Sequence, residues 1–314
     1  MGDALFSWNL LADLRDILSY HFMQNALLAG TIVAVVAGLA GFFMVLRGAS
    51  FAGHTLANVG FAGAAWAGLL GVAPLAGLLG AGLLAALGIA ALEERSARAA
   101  SRSDVAVGTI LALALGLGLL FERLSAASAN FIYSVLFGSV VGITDSDVLG
   151  IALTAAVVLA ALALIGRPLL FASVDAEVAR ARGVPVRLLG VVFLVLLAFA
   201  VAQAVQVTGV LLIFALLVTP AATATQISAR PRNALALAVG IALLVTWAGL
   251  ITAYYTPYPS GFFITTYAFG LYLLARAGRA AGGWLGRAGV RRTPLRNLAT
   301  GTPTGVDVDV EAGA

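Results

Sequence analysis

The stretch FMQNALLAGTIVAVVAGLAGFFMVL, residues 22–46, contains not one charged side chain. A bilayer core of about 30 Å needs around 20 apolar residues per helix, and this stretch exceeds that length. The same ruler finds further spans at roughly 50–72, 73–92, 105–121, 147–166, 188–206, 208–226, 234–254 and 261–277, about nine transmembrane helices in all. The predicted fold class is therefore an all-α polytopic membrane protein. Many spans are rich in Gly and Ala, as in Gly38-Leu39-Ala40-Gly41 and Gly77-Leu78-Leu79-Gly80-Ala81-Gly82. Small residues let helix backbones approach closely in lipid, which predicts a compact bundle. A genome rich in G and C also favours Ala, Gly and Arg and accounts for part of the bias.

Composition agrees. Of 314 residues, 61% are apolar and 10% charged, against roughly 25% charged in a soluble domain. The mean hydropathy is +1.04. So little polar surface excludes a disordered chain, a collagen and a disulfide scaffold, and argues against a soluble enzyme. The chain has no Cys, which removes disulfides, thiolate metal sites and Cys nucleophiles. It also has no Lys, so all 18 basic residues are Arg. A P-loop, a Lys Schiff base and a Ser-Lys dyad are excluded with it. If ATP drives this protein, another subunit must bind it.

Arg placement predicts orientation. Arg47, the group Arg95, Arg98 and Arg102, the group Arg167, Arg180, Arg182 and Arg187, the pair Arg230 and Arg232, and the tail from Arg276 fall on one side. The opposite loops carry Asp145, Asp147 and the Tyr254–Pro259 turn, with Arg123 as the exception. By the positive-inside rule the Arg side is cytoplasmic, the N-terminus outside and the C-terminus inside. Counting the short apolar run Phe131–Val141 as a crossing would invert the later loops. Asn130–Gly142 is therefore read as a re-entrant or interfacial helix on the outer side. Residues 1–20 read as an amphipathic interfacial segment, with Trp8, Leu10, Leu11, Leu14, Ile17 and Leu18 among Asp3, Asp13, Arg15 and Asp16. They lack a signal peptide's basic start and cleavage site. Residues 21–280 form the membrane domain, and 281–314 a cytoplasmic tail too polar and Gly/Pro-rich to build a core, expected to be disordered. No internal repeat is evident, which counts against inverted-repeat carriers.

Three segments carry chemistry or mechanics. Ser173-Val174-Asp175-Ala176-Glu177-Val178-Ala179-Arg180-Ala181-Arg182-Gly183-Val184-Pro185 reads as a short soluble helix. Ser173 or Asp175 caps its start, acids precede Arg as the helix dipole favours, Gly183 suits a left-handed C-terminus and Pro185 blocks continuation. It is either a stable linker or a docking element for a cytoplasmic partner. In the second span His54 and Asn58 stand four apart, on one helix face. They are either a pair of metal ligands on a path or a His hydrogen-bonded to a neighbouring helix. One His and one Asn make no tight site, but an ion that must leave should not be held tightly. In the seventh span Pro220 cannot donate to the carbonyl of Leu216, which predicts a kink. Thr219 and Thr223 can satisfy freed backbone groups. The kink is either a gating hinge or a packing feature.

These segments carry a resemblance. Leu46-Arg47-Gly48-Ala49-Ser50-Phe51-Ala52-Gly53-His54-Thr55-Leu56-Ala57-Asn58 resembles the pattern L-R-R-x-S-(F/Y)-x-G-(D/H)-x-(L/I)-(A/S)-H of the ABC-3 family of permeases from zinc and manganese importers. Leu136-Phe137-Gly138 is similar to its L-F-G signature, and Ser173–Val184 to its coupling segment. Leu216-Leu217-Val218-Thr219-Pro220-Ala221-Ala222-Thr223-Ala224 is similar to its L-L-x-x-P-A-A-T-A signature. The matches fall in order over roughly residues 22–275. The resemblance implies a type II ABC importer-like permease in a bacterial cytoplasmic (inner) membrane. It implies these partners: a second copy of the chain, cytoplasmic ATPase subunits that hold the ATP, and an extracytoplasmic metal-binding protein received near Asn130–Asp147. It also implies a transported divalent metal, a coupling role for Ser173, Asp175, Glu177, Arg180, Arg182 and Gly183, and an ion path at His54 and Asn58. The sequence departs from the family where Asn58 replaces its second His and His54 stands at the usual Asp position. Imidazole favours zinc over manganese, which prefers oxygen donors, so zinc is the expected cargo.

Two other classes compete. A secondary carrier or channel usually holds a carboxylate at mid-membrane, yet Glu122, Asp145 and Asp147 lie at span edges. An intramembrane enzyme needs H-E-x-x-H, paired Asp or a Ser-His pair within spans, and none is present. An ABC-3-like permease for a non-metal substrate stays open. Nothing in the charge pattern points to nucleic acid.

Overall fold

A computed structural model describes residues 18–95, 100–124, 135–138, 142–210 and 212–290. Most of the expected amphipathic segment, the flanks 130–134 and 139–141 of Asn130–Gly142, and most of the tail lie outside these. Packing divides the chain into two units, Met1–Arg276 and Ala277–Ala314. The account below concerns the first.

Among the described residues ten helices follow in order: α1 His21–Leu46, α2 Ser50–Leu70, α3 Pro74–Arg95, α4 Ala100–Leu124, α5 Asp145–Val174, α6 Ala176–Ala181, α7 Val186–Thr208, α8 Ile213–Ile227, α9 Pro231–Tyr254 and α10 Ser260–Val290. All but α6 coincide with an expected span. Among the described residues, six of them (α1, α3, α4, α5, α7 and α9) are long and apolar enough to cross a membrane. Helix α5 runs on to Val174, past its expected end at 166, and two further boundaries differ from expectation with a physical reason. The span expected from residue 208 begins only at Ile213, because Gly209 at φ +77° ends α7 and breaks the chain. Helix α10 runs to Val290, past the expected start of the tail, with no Pro in residues 278–290 to interrupt it.

Helices α1 and α7 lie at the centre, α1 packing on α9, α8, α5 and α7. Glycine sets these contacts. A Cβ at Gly41 would overlap the backbone of Leu217 in α8, and one at Gly38 would stand 2.7 Å from the Cα of Val239 in α9. Gly63 of α2 and Gly77 of α3 press backbone to backbone, each where the other's Cβ would be. Lipid offers no hydrophobic drive between helices, so close van der Waals contact must hold them. Gly63→Leu should therefore force α2 and α3 apart and cost about 3 kcal/mol or more, read as a lowered melting temperature of the detergent-purified chain.

Candidate functional site

The site begins where α1 ends. Ala49 donates to Met44 O at 2.9 Å and Gly48 to Val45 O at 3.1 Å, with Gly48 at φ +67°. This left-handed cap closes the helix, and α2 starts at Ser50. The turn is tight, since a Cβ at Gly53 would overlap the Met44 sulfur.

One turn into α2, His54 and Asn58 come together as their spacing predicts. Asn58 Nδ2 donates to His54 O at 2.9 Å and lies 3.3 Å from His54 Nε2. Asn58 is buried and His54 half-buried. The His54 ring packs edge-on against Phe214 of α8, with centroids 5.5 Å apart and planes at 80°. The structure thus joins two of the predicted segments, since α8 also carries Thr219, Pro220 and Thr223. Pro220 and Thr223 are buried. Thr223 Oγ1 donates to Thr219 O at 2.7 Å, so this hydroxyl serves its own turn and not the carbonyl of Leu216.

Helix α8 is continuous through Pro220, and the break in this region lies just before it. There, residues Val207–Val210 are buried against the L-F-G segment. Val210 donates to Val135 O at 3.0 Å. A Cβ at Gly138 would overlap Val207 O, and one at Gly209 would overlap the backbone of residues 136–138. Gly261, at the start of α10, lies against Thr208 and Phe137 in the same way. Non-helical backbone at membrane depth is tolerated when protein shields it, and here three segments shield one another.

Sequence reasoning missed two residues in α7. The Oε1 atoms of Gln203 and Gln206 are buried with no hydrogen-bond partner among the described residues, as is the hydroxyl of Thr55 beside His54. Their signal was available as two amides in an otherwise apolar run. Each unpaired buried acceptor costs about 1–3 kcal/mol, so such atoms need a reason. Helix α7 packs on α2. Among the described residues, no three His, Asp or Glu side chains gather to hold an ion.

The segment Ser173–Gly183, expected to meet a cytoplasmic partner, packs against α5 and α7. It contains the six-residue helix α6, capped by Asp175, whose Oδ1 accepts from Glu177 N at 3.1 Å and Val178 N at 2.9 Å. Asp175 is thus the cap, while Ser173 belongs to the last turn of α5 and donates to Leu169 O at 2.6 Å. Val184 donates back to Ala179 O at 3.0 Å, and Gly183 takes φ +80°. Ala179 is fully buried; Glu177, Arg180 and Arg182 are exposed. Elsewhere, His21 is not isolated: its Nε2 lies 2.9 Å from Asp145 Oδ1, which also accepts from Asn25 Nδ2 at 2.7 Å.

The model of the ABC 3 transport family matches residues 19–279. The chain belongs to that family. Members similar to it include the manganese import system permease protein ScaB of Streptococcus parasanguinis, 32% identical over 75% of this chain and 82% of the relative. The chelated iron transport system membrane protein YfeC of Yersinia pestis is 30% identical over 79% and 83%. Among solved structures, PsaBC from Streptococcus pneumoniae in complex with Fab matches with a TM-score of 0.76 at 29% identity, over 85% of this chain and 95% of that one. An ABC 3 family chain with these helices is a multi-pass membrane permease. ScaB is named for manganese and YfeC for chelated iron, so neither supports the expected preference for zinc over manganese.

Proposed function

We propose that this chain is the ion-conducting permease subunit of an ATP-driven importer for a first-row divalent metal, with manganese the first candidate. The membership of residues 19–279 in the ABC 3 transport family carries this reading. The names of its relatives supply the cargo class. Two copies of the chain form the path, cytoplasmic ATPase subunits supply ATP hydrolysis, and an extracytoplasmic binding protein delivers the ion. The Arg-rich loops face the cytoplasm of a bacterial cell and the N-terminus faces outward.

The path runs beside α2, α7 and α8. Its donors include no carboxylate: they are the imidazole of His54, the amide of Asn58, and the amide oxygens of Gln203 and Gln206, which have no partner among the described residues. Oxygen-rich donors suit manganese better than an all-imidazole site would. Donors without a carboxylate hold a cation loosely, which permits release. Thr219, Pro220 and Thr223 gate this path through α8, which touches His54. Helix α6 with Glu177 and Arg180, and its flanks Ser173, Asp175, Arg182 and Gly183, receive the push of the ATPase.

The test is uptake into proteoliposomes with the cognate ATPase and binding protein across Mn²⁺, Fe²⁺ and Zn²⁺. ATP-dependent Mn²⁺ uptake is expected to exceed Zn²⁺ uptake. Uptake of any of these ions without the ATPase overturns the reading. In the same assay His54→Phe should slow uptake about tenfold. It keeps a ring against Phe214, worth about 0.5–1.5 kcal/mol, and removes only the ligand nitrogen. Unchanged flux and selectivity would make His54 a packing residue.

A further inference from the structure

Arg47 closes α1 at the head of the resemblance motif, yet neither the ion path nor the docking helix uses it. Its side chain reaches across the molecule. Nη1 donates to Ser173 Oγ at 3.4 Å, in the last turn of α5. The guanidinium carbon lies 5.6 Å from the ring centroid of Phe193 in α7, within cation–π range. Gly190 gives it room, since a Cβ there would stand 3.4 Å from Nη2. Ser173 precedes α6, and Gly190 and Phe193 follow it. One guanidinium therefore grips both stems of the hairpin that presents α6. Its own backbone sits in the capped turn 47–49, seven residues before His54.

We propose that Arg47 is a positioning residue: it ties both stems of the α5–α6–α7 hairpin to the start of α2, so that displacement of α6 reaches the span carrying His54. This rests on the reading of α6 as the ATPase dock. Arg suits the role because its planar fork can hydrogen-bond and stack at once. The exposed face of α6, with Glu177, Arg180 and Arg182, is not part of the tie, so the ATPase should still bind when Arg47 is changed.

The chain has no cysteine, so labels can be placed without background. Spin labels at Phe51→Cys and Val178→Cys, both exposed positions, report the distance from α2 to α6 in lipid nanodiscs, with and without the ATPase. One narrow distance is expected with Arg47 present and a broadened one with Arg47→Gln. Uptake per ATP hydrolysed should fall about tenfold, the scale of one lost charge-assisted contact, and Arg47→Lys should restore part of it. An unchanged distance and unchanged uptake per ATP in Arg47→Gln overturn the proposal. So does a lowered melting temperature with normal uptake per ATP. If Arg47→Gln yields no protein, Ser173→Ala decides: it must broaden the same distance, and an unchanged distance refutes the tie. Broadening in a chain that never binds the ATPase keeps the tie and removes the docking reading instead.

Discussion

Gly209→Ala is expected to abolish recovery of folded protein. The residue stands at φ 77° and ψ 161°, a region that only glycine occupies without strain, and the backbone penalty alone is about 1–3 kcal/mol. The added methyl would also overlap the backbone of residues 136–138, which cannot swing aside as a flexible side chain would. Together these exceed about 3 kcal/mol, a large share of the 5–15 kcal/mol that holds a typical domain folded. Monodisperse protein after size-exclusion chromatography should fall more than about tenfold, since 1.4 kcal/mol already shifts an equilibrium by ten. Gly80→Ala is the control. Gly80 lies inside α3 with open space where its Cβ would be, and Ala there should be neutral or stabilising by about 0.5–1 kcal/mol. Equal yield and melting temperature for Gly209→Ala would mean that the α7–α8 break is not packed as described.

The second large effect is expected from reversing the charges on α6. In Glu177→Arg combined with Arg180→Glu, both side chains are exposed, so exposed-site substitutions should change stability by no more than about 0.5 kcal/mol. Reversal opposes the helix dipole, yet Asp175 still caps the start. Uptake, by contrast, should fall more than about tenfold, because charge juxtaposed with like charge across a docking surface costs several kcal/mol. The informative readouts are the melting temperature of the purified chain and its co-purification with the ATPase. An unaltered melting temperature with lost co-purification supports α6 as the dock. Retained assembly and uptake would make α6 a linker.

The helices were legible because lipid imposes a single rule, a length of apolar residues, on every span. The cap at Asp175 and the left-handed Gly183 were legible because short polar helices must satisfy their ends locally. His54 and Asn58 were legible as neighbours from their spacing alone. The break at Gly209 was not, since Val207-Thr208-Gly209-Val210-Leu211 is as apolar as any span. Its cause is the backbone of Leu136–Gly138, some seventy residues away. Pro220, the louder local signal, sits in an unbroken helix. The partners of Arg47 were hidden for the same reason, being a property of how distant helices meet.

Only Asp175 separates α5 from α6. At 1.5 Å per residue, the thirty residues of α5 make an arm about 45 Å long. A single residue leaves less slack between two helices than a longer connector would. A turn of about 5° at Asp175 would carry the far end of that arm about 4 Å. The arm thus joins the end of the bundle that carries α6 to the end where Asp145 meets His21 and Asn25.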